Sequence, residues 1–146
     1  MSLEYEASCE QQPDVAAVAR TASLMMRLIL DVDDGIVRVD QRDELWHLCW
    51  SDSVFAVVVV LGPEFSEIGR WTLTAEMGRR GEALDELLSL IVVAAAATVY
   101  GGEVVDESSR LRLHTMDPLQ LVLDLSRVGS RDSRSLVNGV KVGRYG

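Results

Sequence analysis

The longest apolar stretch of the chain lies between Gly81 and Gly102 and predicts its central helix, over about residues 81–100. Leucine and isoleucine recur there at three- and four-residue steps, the spacing of one helical face: Leu84, Leu87, Leu88 and Ile91. Residues 90–97 are all apolar, and a helix apolar on every side has to be covered on more than one side. The apolar run 87–100 is about 14 residues long, whereas a bilayer requires roughly 20. We therefore expect a core helix and no membrane segment.

The two sides of the central helix are expected to pack against different partners. One side should present an inaccessible stripe to a sheet: Leu84, Leu87, Leu88, Ile91 and Ala95. The belt on the other side needs a second helix or another subunit as its cover: Leu90, Val93, Ala94 and Ala97. The acidic residues of the first turn, Glu82, Asp85 and Glu86, are expected to face away from the core, where they favour the positive helix end. Gly101 and Gly102 should end the helix, because glycine enters the left-handed cap without strain.

The segment before the first turn signal has two interpretations. Pro13 suits the first position of a helix, and apolar residues follow at helical spacing over 13–30: Val15, Val18, Ala22, Met25, Met26 and Ile29. In the alternative, Leu24–Leu30 is a strand that turns at Asp34-Gly35 into Ile36–Val39. Residues 1–12 are polar and rich in Glu and Gln, so we expect them to be mobile.

Four strands are predicted before the central helix from alternating or continuous apolar residues: Ile36–Asp40, Glu44–Trp50, Ser53–Leu61 and Trp71–Glu76. Gly62-Pro63 should end the third strand. A hairpin, a short helix introduced by Asp117-Pro118 and a second small hairpin are expected after the central helix: Glu103–Asp106 with Arg110–His114, Leu119–Val128, and residues 136–142.

This order of elements predicts an α+β domain, in which an antiparallel sheet of about five to six strands carries helices packed mainly on one face. The domain is expected to span 13–128, between a mobile segment 1–12 and a basic tail or small hairpin at 129–146. If 13–30 is a strand, the apolar belt stays uncovered in a monomer, and soluble chains pair such patches about a two-fold axis. We therefore expect a homodimer that buries the central helix or the sheet edge near Val140.

Charge and cysteine content limit the classes of function. The net charge of −9 argues against a nucleic-acid binder, whose affinity depends on a basic surface. The charge is uneven, because five basic residues after Ser126 against Asp132 give +4 and leave −13 for residues 1–126. Cys9 and Cys49 provide no disulfide framework, which fits a reducing cytoplasm. The chain begins without a cationic leader and apolar run, so no export signal is expected.

An acidic cluster is the first candidate site, with six carboxylates in fourteen positions: Asp31, Asp33, Asp34, Asp40, Asp43 and Glu44. Oxygen-rich loops bind hard cations, but the calcium-loop pattern fails here. Gly35 comes one place early, and Arg42 occupies the position of the bidentate glutamate. We therefore predict no metal site and interpret the cluster as a surface that binds a basic partner protein.

Two further sequence patterns could form a catalytic, metal-binding or cofactor-binding site. His47 and Cys49 are two apart on a strand and share one face, which could begin a zinc or nucleophile site with His114, Cys9 or a distant carboxylate. The simpler interpretation is a half-buried histidine beside a structural cysteine. Gly78–Ala83 stands where a strand feeds a helix, and there it resembles the pyrophosphate-binding turn of acyl-CoA-dependent acetyltransferases. It lacks that family's leading Gln or Arg, and an ordinary basic turn is the simpler interpretation.

The remaining motifs for chemistry are absent from the sequence: there is no Ser-His-Asp arrangement, phosphate-binding loop or paired CxxC, and no cofactor is predicted. We expect a non-enzymatic protein-binding module of a bacterial cytoplasm. It would be an immunity-type inhibitor that neutralises a basic toxin, or a chaperone for a secreted protein, and complementary charge would speed its encounters. The alternative is a small enzyme, with acyl-CoA-dependent transfer at Gly78–Ala83 or a metal-dependent reaction near Asp33.

Overall fold

The computed structural model describes residues 3–51, 55–77, 82–106, 115–128, 132 and 134–137. Its elements follow in the order β1 Leu3–Cys9, α1 Val15–Leu30, β2 Ile36–Arg42, β3 Leu45–Ser51, β4 Phe55–Phe65, β5 Trp71–Met77, α2 Ala83–Tyr100, β6 Gly102–Val105, β7 Thr115–Met116 and α3 Pro118–Ser126. A short helical turn lies at 134–137. The strands form one antiparallel sheet of seven, ordered β2-β3-β4-β5-β1-β6-β7. The predicted α+β class is confirmed, with one strand more than expected.

The helices pack on one face of this sheet. The register places the buried positions of neighbouring strands side by side: Tyr5 lies opposite Ala75, and Ala75 opposite Val60. α2 crosses β1, β4, β5 and β6, while α1 covers β2 and packs against α2, as does α3. α2 is apolar and long enough to cross a membrane by composition, but 72% of it is buried within the protein. It is therefore the core helix that the sequence predicts.

The predicted stripe of α2 is confirmed except at its first residue. Leu87, Leu88, Ile91 and Ala95 are all inaccessible, whereas Leu84 is only half-buried because the first turn lies at the margin of the core. The belt on the other side is covered by α1 and α3 within a single chain, with at most 1% of any of its four side chains exposed. An uncovered belt therefore gives no reason for a dimer.

Residues 13–30 contain a helix, so the strand alternative is wrong. Asp14 caps α1 by accepting the Ala17 N–H at 3.3 Å. The chain leaves the helix at Asp31, whose φ of 56° is left-handed. The predicted stripe is buried against α2 and the sheet at every position but one, since Met25 is half-buried: Val15, Val18, Ala22, Met26 and Ile29.

Residues 3–9, within the segment predicted to be mobile, form a strand of the sheet, so that prediction is wrong for them. β1 lies inside the sheet, where each of residues 3–9 faces a residue of β5 and residues 6–9 also face β6. Tyr5, Ala7 and Cys9 are fully buried and alternate with polar residues. This alternation with a period of two is present in the sequence, but the many Glu and Gln residues make the segment resemble a solvated tail.

Gly62-Pro63 does not end the third predicted strand. β4 continues to Phe65, and its pairing with β5 shifts register between Leu61 and Glu64. Gly62 has a φ of 96°, which a side chain rarely tolerates, and its peptide bond to Pro63 is cis. The other three early strands are confirmed, whereas residues 52–54, which include the predicted start of the third strand, lie outside the described residues.

Two acidic residues in the first turn of α2 are buried, contrary to expectation. Asp85 Oδ1 accepts the Val57 N–H at 3.0 Å, and its Oδ2 accepts the Glu82 N–H at 3.3 Å. Glu86 Oε2 accepts the Tyr5 hydroxyl at 2.9 Å. Because these carboxylates receive donors from β4, β1 and the helix itself, they attach the start of α2 to the sheet instead of facing solvent.

The end of the chain agrees with expectation only in part. α3 begins as predicted, with Asp117 capping the Gln120 N–H at 2.9 Å. β6 pairs with Thr115–Met116, whereas Arg110–His114, the predicted partner, lies outside the described residues. Leu136 and Val137 are buried in the helical turn at 134–137, so a hairpin beginning there is wrong. The rest of that hairpin, with Val140, also lies outside the described residues.

Candidate protein-binding surface

One edge of the sheet is β2, which pairs with β3 on its inner side. α1 lies along this edge. Besides its core stripe, α1 carries a second set of residues at steps of three and four that faces the edge: Ala16, Arg20, Ser23, Leu24 and Arg27. Leu24 is 62% exposed, and Leu28, one turn further on, is 65% exposed. This side of α1 therefore presents apolar side chains to solvent, and Leu24 does so next to β2.

A hydrogen bond between α1 and β2 sets the direction of the edge backbone. The Val37 N–H donates to Ser23 Oγ at 2.8 Å, and Ser23 Oγ donates to the Ala19 carbonyl at 2.8 Å. The Val37 N–H therefore points away from β3. Backbone groups alternate in direction along a strand, so those of Val39 and Gln41 also point outward, where no described strand pairs with them.

We call the concave corner between α1 and the outer side of β2 the edge groove. It has a volume of about 400 Å³. Its walls are mainly apolar, from both elements: Ala16, Ala19, Leu24, Ile36, Val37 and Val39. Pockets of this size with apolar walls bind ligands, and a strand edge beside a hydrophobic groove suits an extended peptide.

Two arginines flank the edge groove in a chain whose net charge is −9. Arg20 is exposed, and Arg27 is half-buried. The Arg27 Nε donates to the Ser23 carbonyl at 3.4 Å, which holds this side chain along the helix. Guanidinium groups pair with carboxylates in a bidentate fashion, so a segment that carries an acidic residue would find a partner here.

The fold divides the acidic cluster into two parts. Asp31, Asp33 and Asp34 lie between α1 and β2, whereas Asp40, Asp43 and Glu44 lie at the far end of β2 and in the turn to β3. β2 has seven residues and so separates the two parts by about 20 Å. All six side chains are exposed, and Asp40 accepts a hydrogen bond from Arg42 Nε at 2.7 Å. The acidic residues therefore lie at both ends of the edge groove and do not form one site.

His47 and Cys49 share a face, as predicted, on the side of the sheet opposite the helices. Both are half-buried. Burial, and then the neighbouring Asp40, raise the pKa of Cys49, while Arg42 lowers it by less. Cys9 lies on the helix-covered face, where burial raises its pKa to about 11. Both thiols are thus weak nucleophiles at neutral pH, and the two cysteines cannot contribute to one centre. His114 lies outside the described residues.

Metal binding and acyl-CoA binding gain no support from the described residues. Within those ranges, no group of three or more His, Cys, Asp or Glu side chains is placed to hold a metal ion. Of the turn Gly78–Ala83, only Glu82 and Ala83 are described. Three carboxylates stand at this start of α2, namely Glu82, Asp85 and Glu86, and one already accepts a backbone N–H. A pyrophosphate group would meet their negative charge there.

The edge groove is not predicted by the sequence patterns described above, although one signal for it exists. Leu24 and Leu28 are four residues apart and lie outside the core stripe of α1. On a surface helix that side is normally polar. These two leucines do not identify an exposed helix side by themselves, because they also fit the alternative in which Leu24–Leu30 is a strand. No family model, curated protein or solved structure matches the chain, so function has to be argued from the site.

Proposed function

We propose that the protein is a non-enzymatic binding module that holds an extended segment of a partner protein in the edge groove. The observation that supports this proposal is the coincidence of an apolar helix stripe with an outward-facing strand edge. A peptide that pairs with Val39 and Gln41 would extend the sheet by one strand. Its side chains on the helix side would then cover Leu24, which is 62% exposed.

The charged side chains around the edge groove indicate which residues the partner segment should carry. An acidic residue within the segment would pair with Arg20 or Arg27 at the wall of the groove. Basic residues flanking the segment would meet the carboxylates at the two ends of β2, of which Asp33 and Asp34 lie at one end. A basic toxin that is neutralised, or a secreted protein that is kept unfolded, remains the concrete form of this proposal, in a bacterial cytoplasm.

Peptide display tests the proposal. The full chain is used to select from random twelve-residue peptides, and the enriched peptides are measured against Leu24→Gln and, as a matched control, Leu123→Gln. Leu123 is 48% exposed on α3, away from β2. Since covering a leucine contributes about 1.5–3 kcal/mol, Leu24→Gln should weaken binding at least about tenfold, whereas the control should bind normally.

Two results would contradict the proposal. One is a selection without enrichment, and the other is a set of peptides that bind Leu24→Gln as tightly as the unchanged protein. Thermal unfolding with acetyl-CoA or with divalent metal ions covers the enzyme alternative, because a ligand of the native state raises the unfolding midpoint. A rise of several degrees with either would favour an enzyme.

The acidic loop before β2 gives a separate prediction. We expect the double substitution Asp33→Asn with Asp34→Asn to slow association with a partner whose flanking residues are basic, because the lost charge removes long-range attraction. Dissociation should change little, and the slowing should disappear at high salt. Stopped-flow or surface-based kinetics measure both rates. An unchanged association rate at low salt would show that the loop does not guide the partner.

A further inference from the structure

The outer edge of β2 is closed at one point by α1. Ser23 Oγ lies 2.8 Å from the Val37 nitrogen and accepts its hydrogen, so it takes the place that the carbonyl of an added strand would occupy. Ser23 Oγ donates in turn to the Ala19 carbonyl at 2.8 Å, which fixes the hydroxyl there. The next outward-facing backbone groups, those of Val39 and Gln41, lie beyond this block. An added strand can therefore pair with Val39 and Gln41, but it meets Ser23 at Val37.

Both arginines of the edge groove lie about one helical turn from this closed end. Arg20 precedes Ser23 by three residues and Arg27 follows it by four, which places them about 4.5 Å and 6 Å from it along the helix axis. The Arg27 Nε donates to the Ser23 carbonyl at 3.4 Å, a bond that does not use its two terminal nitrogens. Within the described residues, neither guanidinium group is paired with a carboxylate. Two positive charges thus bracket the point at which an added strand has to stop.

We propose that the segment held in the edge groove is the C-terminus of the partner protein, whose free α-carboxylate binds at the closed end between Arg20 and Arg27. This inference rests on the proposed function, because it requires an extended segment that pairs with β2. A chain that ends at the block has no further residues to pass Ser23. Its terminal carboxylate meets two guanidinium groups, which bind carboxylates through paired hydrogen bonds. Strand addition and capture of a C-terminal carboxylate are both recurring modes of peptide recognition.

Charge also decides the direction of the peptide. A peptide antiparallel to β2 runs from Gln41 toward Val37 and brings its C-terminus to the closed end. A parallel peptide that stopped there would bring its N-terminal ammonium group next to the two guanidinium groups, where like charges repel. Antiparallel pairing is also slightly more stable than parallel pairing. Both arguments select the antiparallel direction, in which the upstream part of the peptide lies toward Asp43 and Glu44.

The loop between α1 and β2 contains the acidic residues that oppose this contact: Asp31, Asp33 and Asp34. All three are exposed, whereas Arg27 is half-buried and Ser23 is buried. Water and salt screen exposed charges at a distance more strongly than a direct contact between partly buried groups. The loop therefore weakens the attraction of a carboxylate to the closed end, but direct pairing with the guanidinium groups outweighs it.

The strand register predicts which side chain of the peptide enters the groove. The last residue should lie opposite Arg38, because the next position, opposite Val37, is blocked by Ser23. Directly opposed residues of neighbouring strands point to the same face of a sheet. The last residue but one, opposite Val39, therefore points to the helix side, since Val39 does so and lines the groove. We expect an apolar residue at this position of the peptide.

Peptides with a free C-terminus test the proposal on the full chain. Random peptides are displayed with an exposed C-terminus, and an enriched peptide is synthesised in three forms: the free acid, the amide, and a form with a short Gly/Ser extension after its last residue. We expect the amide and the extended form to bind at least about tenfold more weakly than the free acid, because neither places a carboxylate at the closed end.

Substitutions of the arginines locate the carboxylate. Arg20→Gln and Arg27→Gln should each weaken binding of the free acid. In the variant with both substitutions the acid and the amide should bind equally, because the interaction that distinguishes them has been removed. Arg127→Gln is the matched control, at an exposed arginine after α3, and should bind the free acid normally.

The outcomes separate this inference from the proposed function. An amide or an extended peptide that binds as tightly as the free acid overturns the inference, and the proposed function stands if Leu24→Gln still weakens binding. A difference between acid and amide that persists without both arginines places the carboxylate elsewhere and also overturns the inference. If no peptide is enriched, or if Leu24→Gln has no effect, the inference and the proposed function fail together.

Discussion

Replacing Leu88 by alanine is expected to lower the free energy of unfolding by about 2–5 kcal/mol, as truncation in a packed core does. Leu88 is fully buried, on the stripe of α2 that meets the sheet. α2 is covered on the other side by α1 and α3, so the surrounding layers cannot collapse into the space that the side chain leaves. Since small domains have about 5–15 kcal/mol of stability in all, the variant loses a large share of it.

Urea unfolding followed by circular dichroism measures this loss, and Leu84→Ala is the matched control. Leu84 is one turn earlier on the same helix but only half-buried, so the same truncation should cost clearly less. A loss below about 1 kcal/mol for Leu88→Ala would show that the stripe is not a tightly packed part of the core. Equal losses for the two variants would show that the first turn is packed as tightly as the middle of the helix.

Gly102→Ala is expected to have the second large effect, of about 3 kcal/mol, at the upper end of the usual cost of overpacking. Gly102 lies opposite Cys9 where β6 pairs with β1. A Cβ atom at this position would lie 1.8 Å from the Ser8 carbonyl oxygen and 2.9 Å from the Cys9 Cα. Both are backbone atoms in the middle of a sheet, so no side-chain rotation relieves the clash, and β6 has to move away from β1.

Gly69→Ala is the control for this prediction. A Cβ at Gly69 meets nothing within 4 Å, so the substitution costs only the strain of its φ of 82°. Such strain is roughly 1–2 kcal/mol for a side chain in the left-handed region, below the expected loss at Gly102. Chemical denaturation measures both variants, and hydrogen exchange of the β1 amides should quicken only in Gly102→Ala. A loss at Gly102 no greater than that at Gly69 would mean that β1 and β6 separate easily.

The sequence predicts a helix or strand correctly where its apolar residues repeat with a regular helical or strand period. α2, α3 and the strands from β2 to β5 are predicted because their patterns of apolar residues match the period of a helix or a strand. β1 is harder to recognise because the Glu and Gln residues around it are typical of a solvated tail, although Tyr5, Ala7 and Cys9 keep a period of two. The candidate site was harder to predict, since the acidic cluster is continuous in sequence but is divided in space by the length of β2.

The sequence by itself determined α2, α3 and the strands from β2 to β5, and which face of each is apolar, because these properties depend on residues within a few positions of one another. Only the tertiary structure decided that β1 enters the sheet between β5 and β6, about 65 and 95 residues away along the chain. It also decided that Asp85 and Glu86 are buried, since their donors come from Val57 and Tyr5 on other strands. The edge groove follows for the same reason, because the volume between α1 and β2 exists only once the helix packs against the edge strand.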